Sequence, residues 1–212
     1  MFDHGGVLDG KFIDSLDANN LDDSSDLILG SQKYDFATFI NYLPNGKLCY
    51  KLINKIGEKC ILGYHSNNKL SDQETIIYLS KSACNKANIQ FPNFEITCVS
   101  DSNYTTNSSN PSMSIKNDLL ILGFNDNLEG KQSTRKALRS YYSNIPKENI
   151  IIFDDGYTIV EQAFKEGHLA FLISNNYPLI KALEDCLSYM DGKISYNELL
   201  LNAAIHINDA KK

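Results

Sequence analysis

Short apolar runs, separated by stretches of helical periodicity, fill most of this chain. The runs lie at 60–65, 94–100, 119–124, 150–153 and 169–174, each of a length suited to a buried strand. Ahead of the first, Leu48, Leu52, Ile53 and Ile56 recur at the spacing that lines one face of a helix. Ser71 and Glu74 form a capping-box pair before Ile76, Ile77, Leu79 and Ala83, which predicts a second helix. Further helices are predicted from Lys131 to Tyr142, and from Ile159 to Glu166 with Gly167 as the stop. Two amphipathic helices follow, the last opened by Ser195 and Glu198. Strands alternating with helices in this way predict an α/β fold with a mainly parallel sheet.

Three stretches break the rhythm. Only Met1 and Phe2 precede Asp3, where a buried parallel strand ordinarily supplies about four or five apolar residues, so the first strand reads as clipped. Residues 10–44 are polar and acidic, with apolar clusters at Leu27–Leu29 and Phe36–Leu43. They predict an insertion of short helices or a hairpin. Residues 101–117 are rich in Ser and Asn and contain Asn110-Pro111, the signature of an exposed loop. No internal repeat is visible. The organisation expected is one domain over 1–212, with a small insertion at about 10–44 and a peripheral loop at about 101–117.

Composition narrows the classes of function. With 212 residues, 42% hydrophobic and 22% charged, the chain has the balance of a globular protein with a sizeable core. A net charge of −6 argues against nucleic acid held through its phosphates. It leaves phosphorylated ligands open, because a metal supplies positive charge locally. The five cysteines are odd in number and show no CxxC or CxH spacing, which predicts reduced thiols. No apolar run approaches the ~18 residues of a membrane span and no charged-then-apolar signal opens the chain, so a cytoplasmic location is expected.

The candidate chemistry gathers at the ends of predicted strands, the edge where parallel α/β sheets bind ligands. Asp3 precedes Gly5-Gly6, Ser66 follows the run at 60–65, Lys131 opens a helix, and Asp154-Asp155-Gly156 follows Ile151-Ile152-Phe153. Each has an ordinary reading alone: a loop acid, a turn residue, a solvated lysine, a solvated Asp-Asp-Gly turn. Together they change weight. Adjacent carboxylates repel and raise one another's pKa unless a cation intervenes, and Mg²⁺ takes one or two carboxylates plus phosphate and water. Gly130-Lys131-Gln132-Ser133 is not a phosphate-binding P-loop, since Gly123 lies too far upstream and Gln132 stands where a hydroxyl is required. A receiver domain would place its acid pair early and its lysine last, the reverse of the order here. His65, His168 and His206 share no metal-ligand spacing and read as structural.

In this order, Asp3-His4-Gly5-Gly6-Val7-Leu8-Asp9, Ser66, Lys131 and Asp154-Asp155 resemble the four motifs of the haloacid dehalogenase-like (HAD) superfamily. The resemblance implies a three-layer Rossmannoid core with residues 10–44 at the cap position. It implies that Asp3 attacks phosphorus to form an aspartyl-phosphate, that Ser66, with Asn67 beside it, and Lys131 hold the phosphoryl oxygens, and that Asp3, the Gly5 carbonyl, Asp154 and Asp155 hold Mg²⁺. One departure stands out. The family's second aspartate, which protonates the leaving group, is Gly5 here. His4 and Asp9 are candidate substitutes, although alternation along an extended segment turns His4 away from Asp3.

The function expected is therefore a Mg²⁺-dependent phosphomonoesterase acting on a phosphorylated small molecule or phosphoprotein. The alternative is a catalytically inactive HAD-like binding protein; a dehalogenase is weaker, having no use for the acid pair. With no acid at position 5, aryl phosphates, phosphotyrosine among them, are the expected preference.

Overall fold

Phe2 stitches two halves of a sheet together. Its amide donates to the Gly63 carbonyl at 2.8 Å and its carbonyl accepts from the His65 amide at 2.7 Å. On the other side Asp3 N donates to Phe153 O and Phe153 N to Met1 O, each at 2.9 Å. The first strand is thus reduced to one residue bridging Tyr64 and Phe153, both in parallel. The crossing is tight at Gly63, where a Cβ would lie 2.6 Å from Met1 Sδ and 3.0 Å from Ile96 Cβ.

This computed structural model describes residues 1–8, 26–29, 32–35, 45–66, 89–99, 113–116, 119–123 and 131–209, with part of 73–88. The chain is a mixed α/β protein. Within residues 10–44 the described part is a hairpin, β1 (Asp26–Leu29) antiparallel to β2 (Gln32–Asp35). Helix α1 (Gly46–Gly57) leads into β3 (Leu62–His65), which pairs in parallel with β4 (Phe94–Val99). Next come β5 (Met113–Lys116) and β6 (Leu119–Gly123), with β6 parallel to β4 and β5 antiparallel to β6. Helix α2 (Lys131–Tyr141), strand β7 (Ile151–Asp154), helix α3 (Tyr157–Lys165) and strand β8 (Leu169–Leu172) follow, β7 parallel to β8. Helices α4 (Leu179–Met190) and α5 (Tyr196–Asp209) close the chain.

Alternation along the strands sends side chains to two cores. Phe153 and Phe171 join Tyr50, Ile53, Leu183 and Leu199 on one face. Ile152, Ala170 and Leu172 join Val160 and Ala163 of α3 on the other, where Ala137 and Leu138 of α2 meet Ile96 and Leu122 nearby. Helix α5 reaches both sides, burying Leu199 and Ala203 in the first core and Ile207 in the second. Burying each large aliphatic or aromatic side chain contributes roughly 1.5–3 kcal/mol.

The capping box predicted at Ser195 is formed. Glu198 N donates to Ser195 Oγ at 3.2 Å, while Ser195 N donates to Glu198 Oε2 at 2.7 Å. Gly167 stops α3 at a φ of 91°, open to glycine without cost. The loop expected over 101–117 is corrected at its end: Met113–Lys116 pairs with β6 from Met113↔Leu122 to Lys116↔Leu119. Met113 and Ile115 alternate there with Ser114 and Lys116, a strand period that the Ser/Asn-rich neighbourhood obscures. Residues 101–112, Phe36–Leu43 and Ser71 lie outside the described residues. The cysteines are free, four of them buried and Cys60 exposed. Among the described residues no helix is long and apolar enough to cross a membrane.

Candidate active site

From Phe2 the chain builds the sheet one way through β3, β4 and β6, then returns to Phe2's other side with β7 and β8. The place where the strand order reverses lies between Phe2 and β7, and such a switch point opens a crevice at the carboxyl ends of the strands. Asp3 and Asp154 flank it. Residues His4–Leu8 leave Phe2 as a single wide helical turn, so Asp3 sits where extended backbone gives way to helix.

Lys131, the first residue of α2, reaches into this crevice. Its ammonium lies 2.7 Å from Asp3 Oδ2 and 2.6 Å from Asp154 Oδ2, with side-chain exposures of 7%, 13% and 1% in that order. Each carboxylate keeps its other oxygen on a backbone amide: Asp3 Oδ1 accepts from His4 N and Asp154 Oδ1 from Gly156 N, both at 2.8 Å. A Cβ on Gly156 would stand 3.0 Å from Asp154 Oδ1, so a side chain there would press on that carboxylate. Asp155 is exposed, yet it offers a carboxylate oxygen within 4.8 Å of those of Asp3 and Asp154.

Lys131 is positioned from behind. Arg135, one helical turn along and 1% exposed, donates Nε and Nη2 to the two oxygens of Glu166 at 2.7 and 3.0 Å. Gln132 Nε2 adds a bond to Glu166 Oε1 at 3.1 Å. This bidentate clamp ties the start of α2 to the end of α3. Burial works to raise the Glu166 carboxyl, but Arg135 outweighs it and holds the group below its usual range.

The charges do not balance. Burial pushes the Asp3 carboxyl well above the ordinary carboxylate range, with Lys131 opposing and Asp154 adding to the rise. Burial works on Asp154 in the same direction, but the Lys131 ammonium at 2.6 Å helps hold it low. One ammonium among three carboxylates leaves the crevice short of positive charge, and the donor set is all oxygen. That combination fits a small hard dication such as Mg²⁺.

The other predicted site residues have distinct places. Ser66 directly follows β3 and is 4% exposed, and Gly5 is buried within the helical turn. His4 is buried with Nε2 3.4 Å from Ser80 Oγ, its ring 6.3 Å from that of Tyr64. Asp9 and Asn67 lie outside the described residues. His65, read as structural from sequence, proves to face the crevice: Nδ1 lies 3.7 Å from Asp154 Oδ2 and Nε2 lies 3.3 Å from the Lys131 carbonyl. Its position immediately before Ser66 was the available signal.

An apolar cavity of about 430 Å³ lies at the opposite ends of β3 and β7, bordered by Met1, Ile56, Ile61, Ile145 and Ile150. None of its lining side chains is an Asp, Glu, Lys, Arg or His, in contrast to the crevice at the other edge. Comparison with protein-family models, curated proteins and solved structures finds no match for this chain.

Two site groups pull stability in opposite directions with pH. Burial, with Lys131 and Arg135 beside it, pushes the His65 imidazole down to about 4 against the pull of Asp154. In the unfolded chain that ring takes a proton below about pH 6.5, so acidification from there toward pH 4 costs the fold up to about 3 kcal/mol. Asp3 acts oppositely. Its raised carboxyl protonates in the folded chain first, so acidification stabilises the fold until the unfolded carboxyl also protonates, near about pH 4. Urea unfolding in EDTA between about pH 7 and about pH 4.5 is therefore expected to show a steeper acid loss in Asp3→Asn than in wild type. His65→Gln should show a shallower one. Identical slopes in all three proteins would refute the assignment.

Proposed function

We propose that this protein is a Mg²⁺-dependent phosphomonoesterase of the HAD-like kind, acting through a phosphorylated Asp3. The observation that carries the reading is the Lys131 ammonium held against Asp3 and Asp154 at a sheet switch point, with Asp155 in reach. The order of Asp3, Ser66, Lys131 and Asp154-Asp155 along the chain supports it.

In this reading Asp3 attacks phosphorus with a carboxylate oxygen. A phosphorus–oxygen bond forms on Asp3 as the ester bond breaks, and the leaving oxygen departs with the electron pair. Lys131 lowers the repulsion between the incoming phosphoryl oxygens and the two acids, and Ser66 donates to one of those oxygens. Water then attacks the phosphorus, releasing inorganic phosphate and restoring Asp3. Asp3, the Gly5 carbonyl, Asp154 and Asp155 would hold Mg²⁺, which when bound offsets phosphoryl charge. Hydrolysis of a generic aryl phosphate is expected to stop in EDTA and return on adding Mg²⁺. Turnover indifferent to both would remove the metal from the reading.

Leaving-group chemistry sharpens the substrate class. An alkoxide is a much stronger base than a phenolate, whose conjugate acid has a pKa of about 10. Gly5 offers no proton to the departing oxygen. We therefore expect aryl phosphates, phosphotyrosine among them, to exceed sugar and serine phosphates in kcat/KM by about 10²-fold or more, the usual worth of general acid catalysis. Equal turnover of the alkyl esters would mean another group supplies the proton, with Asp9→Asn and His4→Ala the next variants to measure.

Gly5 also favours a second reading, a phosphate-binding protein without turnover. Mg²⁺ binding with no hydrolysis of any phosphate ester separates it from the first.

A further inference from the structure

His65 touches more of the crevice than any role as core filler requires. Its main-chain amide donates to the Phe2 carbonyl at 2.7 Å, one residue before Asp3. Ser66 follows it directly. Its ring is fully buried, with Nε2 3.3 Å from the main-chain carbonyl of Lys131 and Nδ1 3.7 Å from Asp154 Oδ2. Through one residue the first strand, the hydroxyl segment and the lysine are connected, with Asp154 beside the ring.

The partner at Nε2 fixes how the ring works. A carbonyl oxygen only accepts, so the proton sits on Nε2 and is donated to Lys131 O. Nδ1 then carries a lone pair, and among the described residues it has no hydrogen-bond partner. At 3.7 Å the approach to Asp154 is too long to be a hydrogen bond. The bond that positions is therefore the one to Lys131. It matters because Lys131 is the first residue of α2, the end of that helix from which the ammonium meets Asp3 and Asp154. The Arg135–Glu166 clamp fixes the body of the helix one turn further on, and His65 fixes its first residue.

We infer that His65 is a positioning residue: by holding the Lys131 main-chain carbonyl it sets where the ammonium meets Asp3 and Asp154. For catalysis this rests on the phosphatase reading; for the placement of Lys131 it does not. The role is specific in a way that packing is not, since it depends on a donor at the Nε2 position. A glutamine side chain places its amide nitrogen near that position, an asparagine side chain near Nδ1, and a leucine places no donor at either.

The test compares His65→Gln, His65→Asn and His65→Leu for kcat and KM on an aryl phosphate at saturating Mg²⁺. His65→Gln is expected to keep kcat within a few-fold of wild type. His65→Asn and His65→Leu should lose about tenfold to a hundredfold in kcat with KM little changed, as removing an outer-shell partner does. Full kcat in His65→Leu would overturn the inference, as would rescue by asparagine and not glutamine, which would assign the role to the Asp154 side. If His65→Leu fails to fold, the glutamine–asparagine comparison still decides.

A wild-type protein that turns over no phosphate ester would sink the phosphatase reading instead. In that case crystal structures of the same variants decide. Lys131 Nζ withdrawn beyond hydrogen-bond range of Asp3 and Asp154 in His65→Asn but not in His65→Gln supports the role, and an unmoved ammonium in both overturns it.

Discussion

Replacing Asp3 by asparagine is expected to reduce kcat on an aryl phosphate by at least about 10⁴-fold, the scale seen when a nucleophile is removed. It should do so without cost to the fold. The carboxamide is not a nucleophile toward phosphorus and binds a dication poorly, so both functions proposed for Asp3 should vanish together. The stability argument runs the other way. Burial already disfavours the Asp3 carboxylate, and its loss leaves Lys131 paired with Asp154 at 2.6 Å, a neutral couple in place of a net negative cluster. The urea midpoint of metal-free Asp3→Asn near pH 7 is therefore expected to equal or exceed that of wild type. An inactive variant that is also severely destabilised would say nothing about catalysis. An active one would exclude Asp3 as nucleophile, because nothing else could replace its covalent role.

Much of the architecture was legible because period and length agreed. The runs that became β3, β4, β6, β7 and β8 are short, apolar and flanked by helical spacing, and the Ser195–Glu198 box formed as read. The strand at Met113–Lys116 was hidden by composition: four residues of alternation inside a Ser/Asn-rich stretch weigh less than the turn formers around them. The first strand was the hardest element to credit, since two residues do not make a pattern. Its place is set by four main-chain hydrogen bonds to strands far along the chain, and long-range pairing leaves no local trace.

The candidate site was legible in kind and illegible in detail. Strand-end acids and a lysine could be picked out, but not that one ammonium would bridge both carboxylates. The Arg135–Glu166 clamp and the placement of His65 depend on how α2 packs against α3 and β3. A histidine inside a strand pattern looks the same whether it fills a core or holds a carbonyl. Only its neighbours in space distinguish the two.

Lys131→Met should separate the lysine's two roles. With the ammonium gone, Asp3 and Asp154 face each other largely buried and uncompensated, a loss of about 3–5 kcal/mol when one partner of a buried ion pair is removed. Acid relieves this by protonating Asp3, whose carboxyl Lys131 no longer holds down, so the destabilisation should shrink as the pH falls, starting above the titration of Asp3 in wild type. On the proposed metal site, Mg²⁺ should relieve it at neutral pH by binding the folded form alone. The ammonium now lies on the Oδ2 atoms of both acids and repels a second cation, so Mg²⁺ should bind Lys131→Met more tightly than wild type. Turnover should not follow. Even with Mg²⁺ saturating and the fold restored, kcat should stay about 10²–10³-fold low, because the positive group proposed to meet the phosphoryl oxygens is missing. Calorimetric titration of Mg²⁺ beside steady-state rates gives both numbers. Weaker Mg²⁺ binding in the variant would mean that Lys131 organises the acids for the metal and does not compete with it. Full activity at saturating Mg²⁺ would confine the lysine to holding the carboxylates together until the metal arrives.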